Sequence, residues 1–220
     1  MIFPKSITQE LAEEVGWHIG DGSMNFYNNR GKKKGIYQLR GHIEDDKPHY
    51  INRIKPLFRS LFNIDISLRE MPSTRVFGFQ IWSDDLVKFK QKLGLPLGKK
   101  YDISIPGDFL KNNDLKINVL RGIFDTDGGI YLEKKNNKLY PLCYITTISK
   151  MLSKQLHSLL KDFKIHSTVT SYFIQRGNRK RHYRVNIRGL KECGTFMEKV
   201  ASANPKHVDK YIKFNNSKSL

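Results

Sequence analysis

The sequence predicts an α+β protein made of two pseudo-symmetric αββαββα halves, packed through one helix from each half. Three observations predict it. Gly16-x-x-x-Gly20-Asp21-Gly22 returns as Gly122-x-x-x-Thr126-Asp127-Gly128, an internal repeat with an offset of 106 residues. Each copy is followed by two strand-like runs around a Lys/Asn/Gly turn, an amphipathic helical stretch, and a second pair of strand-like runs. Small residues recur at i, i+4 on both motif helices, Gly16 and Gly20 on one, Gly122 and Thr126 on the other. Each helix-interior glycine costs roughly 1 kcal/mol relative to alanine, so a matching stripe of them implies close helix-to-helix approach.

In the first half, Ser6-Ile-Thr-Gln9 reads as a capping box opening a helix through Leu11, Ala12, Val15 and Ile19 that breaks at Asp21-Gly22. Strand-like residues 24–30 and 36–43 flank the turn Gly31–Gly35. The spacing of Ile51, Ile54, Leu57, Phe58 and Leu61 marks a helix, and residues 64–70 and 76–82 make the second hairpin. In the second half a helix starts near Asn113-Asp114 and runs through Ile117, Leu120 and Ile123 to Asp127-Gly128. Strands at 130–135 and 139–146 flank Asn136-Asn137, and Leu152, Leu156, Leu159, Leu160 and Phe163 mark the next helix. Residues 167–174 and 182–188 then flank Gln175–Arg181. The halves divide as 1–105 and 115–220, with 106–114 as a linker carrying the turn formers Pro106, Gly107 and Asn112-Asn113.

With 39% hydrophobic and 11% aromatic residues the chain can bury a core, which excludes a disordered polypeptide. Apolar runs are only a few residues long, and MIFPKSITQE has neither a basic n-region nor an apolar h-region. A secreted or membrane-spanning protein is therefore not expected; an intracellular one, in cytoplasm, nucleoid or organelle matrix, is. Cys143 and Cys193 lie in no CxxC or Cys/His cluster, so zinc has no ligand set and both read as core thiols. A net charge of +18 would set a globular protein against itself unless a polyanion covers it, and nucleic acid is the leading partner. The second half is the more basic: 22 Lys/Arg against 9 Asp/Glu beyond residue 106, and 17 against 12 before it.

A carboxylate at a helix C-terminus meets the negative end of the helix dipole, an unfavourable placement by roughly 0.3–1 kcal/mol. Asp21 and Asp127 both do this at equivalent positions, which points to a cation between them once the helices pack side by side. Hard carboxylate oxygens suit Mg²⁺. A calcium loop at Asp125-Thr-Asp-Gly-Gly fails, because Asn136 stands where the loop requires glutamate.

Leu120-Arg-Gly-Ile-Phe-Asp-Thr-Asp-Gly128 resembles a nearly intact LAGLIDADG motif, and Glu14-Val-Gly-Trp-His-Ile-Gly-Asp-Gly22 resembles a more divergent copy that keeps Gly16, Gly20, Asp21 and Gly22. The likeness extends over almost the whole chain, since the order of strands and helices after each motif also matches that family. The resemblance implies a homing endonuclease of the monomeric two-motif type. Such an enzyme holds a long asymmetric site of double-stranded DNA on a curved antiparallel β saddle and hydrolyses both strands across the minor groove. By the same resemblance Asp21 and Asp127 hold two or three Mg²⁺ ions, with the Gly20 and Thr126 carbonyls beside them, and Mn²⁺ or Ca²⁺ can substitute in binding. It also implies a polar residue near the end of each second strand, matched to Glu44 and loosely to Thr146. A lysine before the last helix of each half is matched to Lys99 or Lys100, and to Lys206. A solvated strand-end carboxylate competes with a water-positioning role for Glu44, and plain solubility competes with phosphate positioning for each lysine. An RNA-splicing maturase acting on host intron RNA and a non-cleaving DNA-binding protein of this fold are the alternative functions. Survival of both motif acids favours catalysis, and free-standing, intron-encoded (intron homing) and intein-derived origins stay open.

Strand alternation gives a separate indication of DNA contact. In residues 36–44, Leu39 and Ile43 take one face while Gln38, Arg40, His42 and Glu44 take the other. In residues 182–188, Tyr183, Val185 and Ile187 oppose Arg184, Asn186 and Arg188. One face is core and the other carries types that read base edges in the major groove, with Tyr144 and Arg69 assigned to the same surface. Lys32, Lys33 and Lys34, Lys134, Lys135 and Lys138, and Arg176, Arg179, Lys180 and Arg181 sit in turns and would grip phosphates.

Overall fold

In the computed structural model, which describes residues 1–29, 31–136, 138–174 and 180–216, the repeat seen in the sequence becomes two four-stranded antiparallel sheets, each backed by helices. Helix α1 (Gln9–Gly20) is capped by Thr8, whose hydroxyl accepts the Leu11 N–H at 3.2 Å. Thr8 takes the place expected of Ser6, so Ile7 stays outside the helix and packs against the core. β1 (Gly22–Asn29) and β2 (Lys32–His42) form a tighter hairpin than expected, with Asn29 paired to Lys32. Lys32, Lys33 and Lys34 therefore lie in a strand and not in a turn.

The next helix is assembled from α2 (Lys47–His49), a π turn (Tyr50–Ile54) and α3 (Lys55–Phe62). Lys55 N–H reaches back to Tyr50 O, and Pro56, having no N–H, follows directly, so the wide turn falls where a regular ladder bond is already missing. β3 is only Arg69–Met71; residues 64–68 run unpaired because Ile64, Ile66 and Leu68 are drawn into the core. β4 (Val76–Trp82) and α4 (Asp84–Lys92) complete the first unit, and the sheet order is β1-β2-β4-β3.

A 3-10 turn at Gly107–Leu110, with Phe109 buried, precedes α5 (Asn113–Asp127), which is capped by Asn112. β5 (Gly128–Lys135), β6 (Lys138–Thr147), α6 (Lys150–Asp162), β7 (Thr168–Phe173), β8 (Arg181–Arg188) and α7 (Leu190–Val200) repeat the plan, in the order β5-β6-β8-β7. The offset of 106 survives in the register: Gly22 faces Leu39 and Leu39 faces Phe79, while Gly128 faces Ile145 and Ile145 faces Val185. The symmetry breaks at α8 (Pro205–Asn216), an extra helix with no counterpart in the first half.

Helices α1 and α5 cross with their backbones in contact. A Cβ on Gly16 would lie 2.8 Å from Gly122 Cα, and one on Gly122 would lie 2.9 Å from Gly16 Cα, so neither position accepts a side chain without moving a backbone. The halves are also laced by an exchange of segments. Gln155 of α6 pairs with both backbone groups of Ile105, and Ser149 Oγ donates to Ile103 O at 2.7 Å. In the other direction the stretch before α8 docks on α2, with His49 Nδ1 3.1 Å from Ala203 O. Cys143 and Cys193 are buried free thiols, as expected. No helix among the described residues is long and apolar enough to cross a membrane.

Candidate active site and nucleic-acid interface

Crossing α1 over α5 at glycines sets their C-termini side by side. A Cβ on Gly20 would lie 2.7 Å from Thr126 Cβ and 3.5 Å from Asp127 Cγ, so the two motif acids end up at one spot. Burial pushes the Asp21 carboxyl up to about 8, with Asp127 and then Asp46 adding like charge. Burial also pushes Asp127 up to about 6, against the pull of Lys100 and Lys206. Lys100 Nζ caps α1 by donating to the carbonyls of His18 (3.2 Å), Ile19 (3.0 Å) and Gly20. The Gly20 carbonyl, expected to face a metal, is thus engaged by an ammonium group. Thr126 Oγ1 donates back to Gly122 O at 2.9 Å, which keeps its side chain inside the helix crossing. Lys206, from α8, donates to Asp46 Oδ1 at 2.6 Å. Among the described residues no group of three or more His, Cys, Asp and Glu that could hold a metal gathers, and Asp46, the third acid acting on Asp21, is taken up by Asn204 and Lys206.

The sheet faces follow the expected alternation. In β2, Tyr37, Leu39 and Gly41 are buried while Gln38, Arg40 and His42 take the opposite, half-buried face. Arg40 lies opposite Gly78, which lies opposite Arg69, so two guanidinium-bearing positions flank one glycine. In the second sheet Tyr144 pairs with Asn186, Thr146 with Arg184 and Leu142 with Arg188. The Arg184 guanidinium stacks 3.9 Å over the Tyr144 ring, and Arg188 is tied to Glu133. Lys32 and Lys34 share the parity of Gln38, whereas Lys33 turns to the other face, over the Phe26 ring. Lys135 pairs with Lys138 at the β5–β6 tip, and Lys134 pairs with Leu139. Lys180 Nζ lies 4.3 Å from the Tyr101 ring centre and Arg181 4.8 Å from that of Phe173.

Residues 114–201 match the model of a family described as the LAGLIDADG-like domain. The second half is therefore a LAGLIDADG-like domain, and the first half repeats its motif at Gly16–Gly22. It is similar in structure to the homing endonuclease I-DmoI, at a TM-score of 0.64 and 16% identity over 87% of this chain and 90% of that one. It is also similar to the homing endonuclease I-GzeII solved with its DNA target, at a TM-score of 0.60 and 12% identity over 97% and 92%. In sequence it matches two proteins of Methanocaldococcus jannaschii. One is a replication factor C small subunit, 29% identical over 206 residues (93% of this chain, 10% of that protein). The other is a glutamine–fructose-6-phosphate aminotransferase, 30% identical over 165 residues (74% and 13%). The chain thus spans about a tenth of the length of the curated relatives it matches.

Several assignments shift on this LAGLIDADG framework. Glu44 is exposed and 3.7 Å from Arg75, and it is not among the groups that act on Asp21 or Asp127. By the shared register Thr146 corresponds to Arg40, not to Glu44. Lys99 is exposed beside Tyr101, and Lys100 is the lysine that reaches the end of α1; both follow α4 instead of preceding a last helix. Asn186 is 3% exposed and bound to Thr170 Oγ1 at 3.1 Å, so it braces the sheet and is not free to read a base. Arg176 and Arg179 lie outside the described residues. Sequence reasoning missed Asp46 and Tyr50, which interact electrostatically with Asp21. It also missed Ser23, Asn25 and Tyr27, which share the Gln38 face of the first sheet. The alternation rule applied to β1 would have found those three; no sequence motif marks Asp46, whose side-chain partners Asn204 and Lys206 lie 158 and 160 residues away. Asp125, two residues before the second motif acid, is not part of the acid pair: its carboxylate is a buried pin accepting from Ser202 Oγ and Ala203 N.

Proposed function

We propose that this LAGLIDADG chain is a metal-dependent, sequence-specific endonuclease that cuts both strands of a long asymmetric DNA site as a monomer. The observation that carries the reading is the juxtaposition of Asp21 and Asp127, each with raised proton affinity, at the adjoining ends of α1 and α5. Burial keeps protons on these neighbouring carboxyls against the pull of Lys100 and Lys206, and hard oxygens are the donors divalent ions take. I-DmoI has been solved with DNA and Mn, and with DNA and Ca, which supports the same use here. Asp21 and Asp127 would hold two or three Mg²⁺ ions. Bound there, they would polarise the scissile phosphates and activate water.

The chain's own residues supply the rest. Lys100, fixed by three carbonyls, and Lys206, fixed by Asp46, bring ammonium groups beside the acid pair, where phosphate charge would lie. Gln38, Arg40 and His42 on one sheet and Tyr144, Arg184 and Arg188 on the other present unlike polar faces, so the two halves would read different half-sites. Lys32, Lys34, Lys135, Lys138 and Lys180 would hold backbone phosphates. The matched segment occurs within two proteins whose names share no activity, a replication factor subunit and an aminotransferase. That suits a unit with its own activity and favours the intein-derived origin.

The test is incubation with a randomised duplex library and Mg²⁺, followed by sequencing of the new ends. Cut ends converging on one asymmetric site of roughly 20 base pairs are expected, about one helical turn per half. Duplex that is bound but never cut in Mg²⁺ or Mn²⁺ would replace the nuclease with a DNA-binding protein.

A further inference from the structure

The two lysines beside the acid pair are held in chemically different ways. Lys100 donates to three uncharged carbonyls of its own half. Lys206 is held by Asp46, a carboxylate of the opposite half that is 5% exposed. Asp46 is fully engaged: its Oδ1 accepts from Lys206 Nζ at 2.6 Å and Asn204 Nδ2 at 2.9 Å, and its Oδ2 accepts from the His42 N–H at 2.8 Å. Burial works against that charge, but Lys206 and the other donors outweigh it and hold the carboxyl below its usual range, so Asp46 stays ionised. Asn204 also donates to Asp125 O, tying the assembly to the last turn of α5.

The counterpart in the other half shows what is special here. Asp46 is the N-cap of α2 and Ser149 the N-cap of α6, and each reaches across to the lysine-bearing segment of the opposite half. Ser149 binds Ile103 O and carries no charge, and it does not touch Lys100. Only one of the two lysines therefore takes its position from an ion pair across the halves. An amine on a flexible four-carbon stem has no fixed place unless something holds it.

We propose that Asp46 is the positioning residue for Lys206, so that removing it impairs cleavage of the one DNA strand whose scissile phosphate Lys206 serves. This rests on the endonuclease reading. The other strand, attended by Lys100, keeps its rate.

The experiment uses the full chain, Mg²⁺ and a duplex of the selected target labelled on each strand in turn. Asp46→Ser, which copies the other half, should slow one strand by about tenfold or more and the other by less than about threefold, so that nicked duplex accumulates; general positioning effects of this size are ordinary in active sites. Asp46→Glu should recover part of the loss. Lys206→Met should slow the same strand, and Asp46→Ser added to it should cost nothing further, since the two act as one unit. DNA affinity should change by less than about threefold throughout. Equal slowing of both strands, or additive losses in the double variant, would show that Asp46 only holds the halves together and overturn the proposal. A variant too unstable to bind DNA is replaced by Asp46→Asn in the same two-strand assay, where slowing of one strand supports the proposal and equal slowing of both overturns it. Wild-type protein that cuts neither strand would overturn the endonuclease reading and this inference with it.

Discussion

Replacing Lys90 alone should damage the protein more than replacing Lys90 and Glu14 together. Glu14 lies in α1 and Lys90 in α4; both are fully buried, with Lys90 Nζ bonded to Glu14 Oε1 and Tyr37 OH donating to the same oxygen at 3.1 Å. At the offset of 106 their places in the other half are taken by Leu120 and Phe196, equally buried and apolar. One architecture therefore houses an ion pair in one half and a hydrocarbon contact in the other. Lys90→Met leaves a buried carboxylate without its cation, at a cost of roughly 3–5 kcal/mol. Glu14→Leu leaves a buried ammonium at a similar cost. The double variant strands neither charge, and apolar replacement of a buried pair is near neutral or stabilising. What it leaves is the Tyr37 hydroxyl without an acceptor, at about 1–3 kcal/mol, which Tyr37→Phe should restore. At roughly 2–4 °C per kcal/mol for a chain of this size, each single variant should melt roughly 6–20 °C below wild type and the triple variant close to it. Thermal and urea denaturation measure this, and single losses that simply add in the double variant would refute the reasoning.

Three further outcomes follow from the geometry. Gly122→Ala gains about 1 kcal/mol of helix propensity but drives a methyl to within 2.9 Å of Gly16 Cα, so urea denaturation should show a net loss of about 1–3 kcal/mol; unchanged stability would remove the close-approach account. Asp21, raised to about 8 in the fold against about 4 unfolded, binds its proton more tightly when folded, so the stability it contributes is present below about pH 4 and lost as the pH rises to about 8. In EDTA the melting-point advantage of Asp21→Asn over wild type should therefore grow between pH 5 and pH 8.5, and an advantage that shrinks would contradict the crowding of the acids. Arg40→Ala should relax base preference in one half-site only, by about 1–3 kcal/mol at the affected position, because Arg40 shares the polar face of β2 with Gln38 and His42; sequencing of cleaved library sites would show a uniform relaxation if the assignment is wrong.

The fold was legible because its determinants are periodic and local. The repeated Gly-x-x-x-Gly/Thr-Asp-Gly motif fixes the crossing of α1 and α5, and alternation in β2 and β8 separates core from polar face. Boundaries failed where tertiary packing overrides propensity. Residues 64–68 look like a strand but spend their apolar side chains on the core, and the Lys32–Gly35 stretch looks like a turn but extends β2. The motif acids were legible from two unfavourable helix-end placements at matching positions. Glu44 misled because strand parity says which face a residue takes, not how far along the strand the site lies; Asp46, two residues on, has the contacts that Glu44 lacks. Its partners Asn204 and Lys206 come from the far end of the chain, across an exchange of segments that no local pattern announces.

One chain is expected to cut both strands with the acid pair at the α1–α5 crossing. Single-turnover assay of the selected duplex with one equivalent of protein tests it, comparing wild type with Asp127→Asn in Mg²⁺ and recording the mass of the complex. Both strands cut by wild type, neither cut by the variant, near-equal affinity and one chain per duplex are predicted. A variant that cuts as wild type does, or a palindromic target held by two chains, would contradict it.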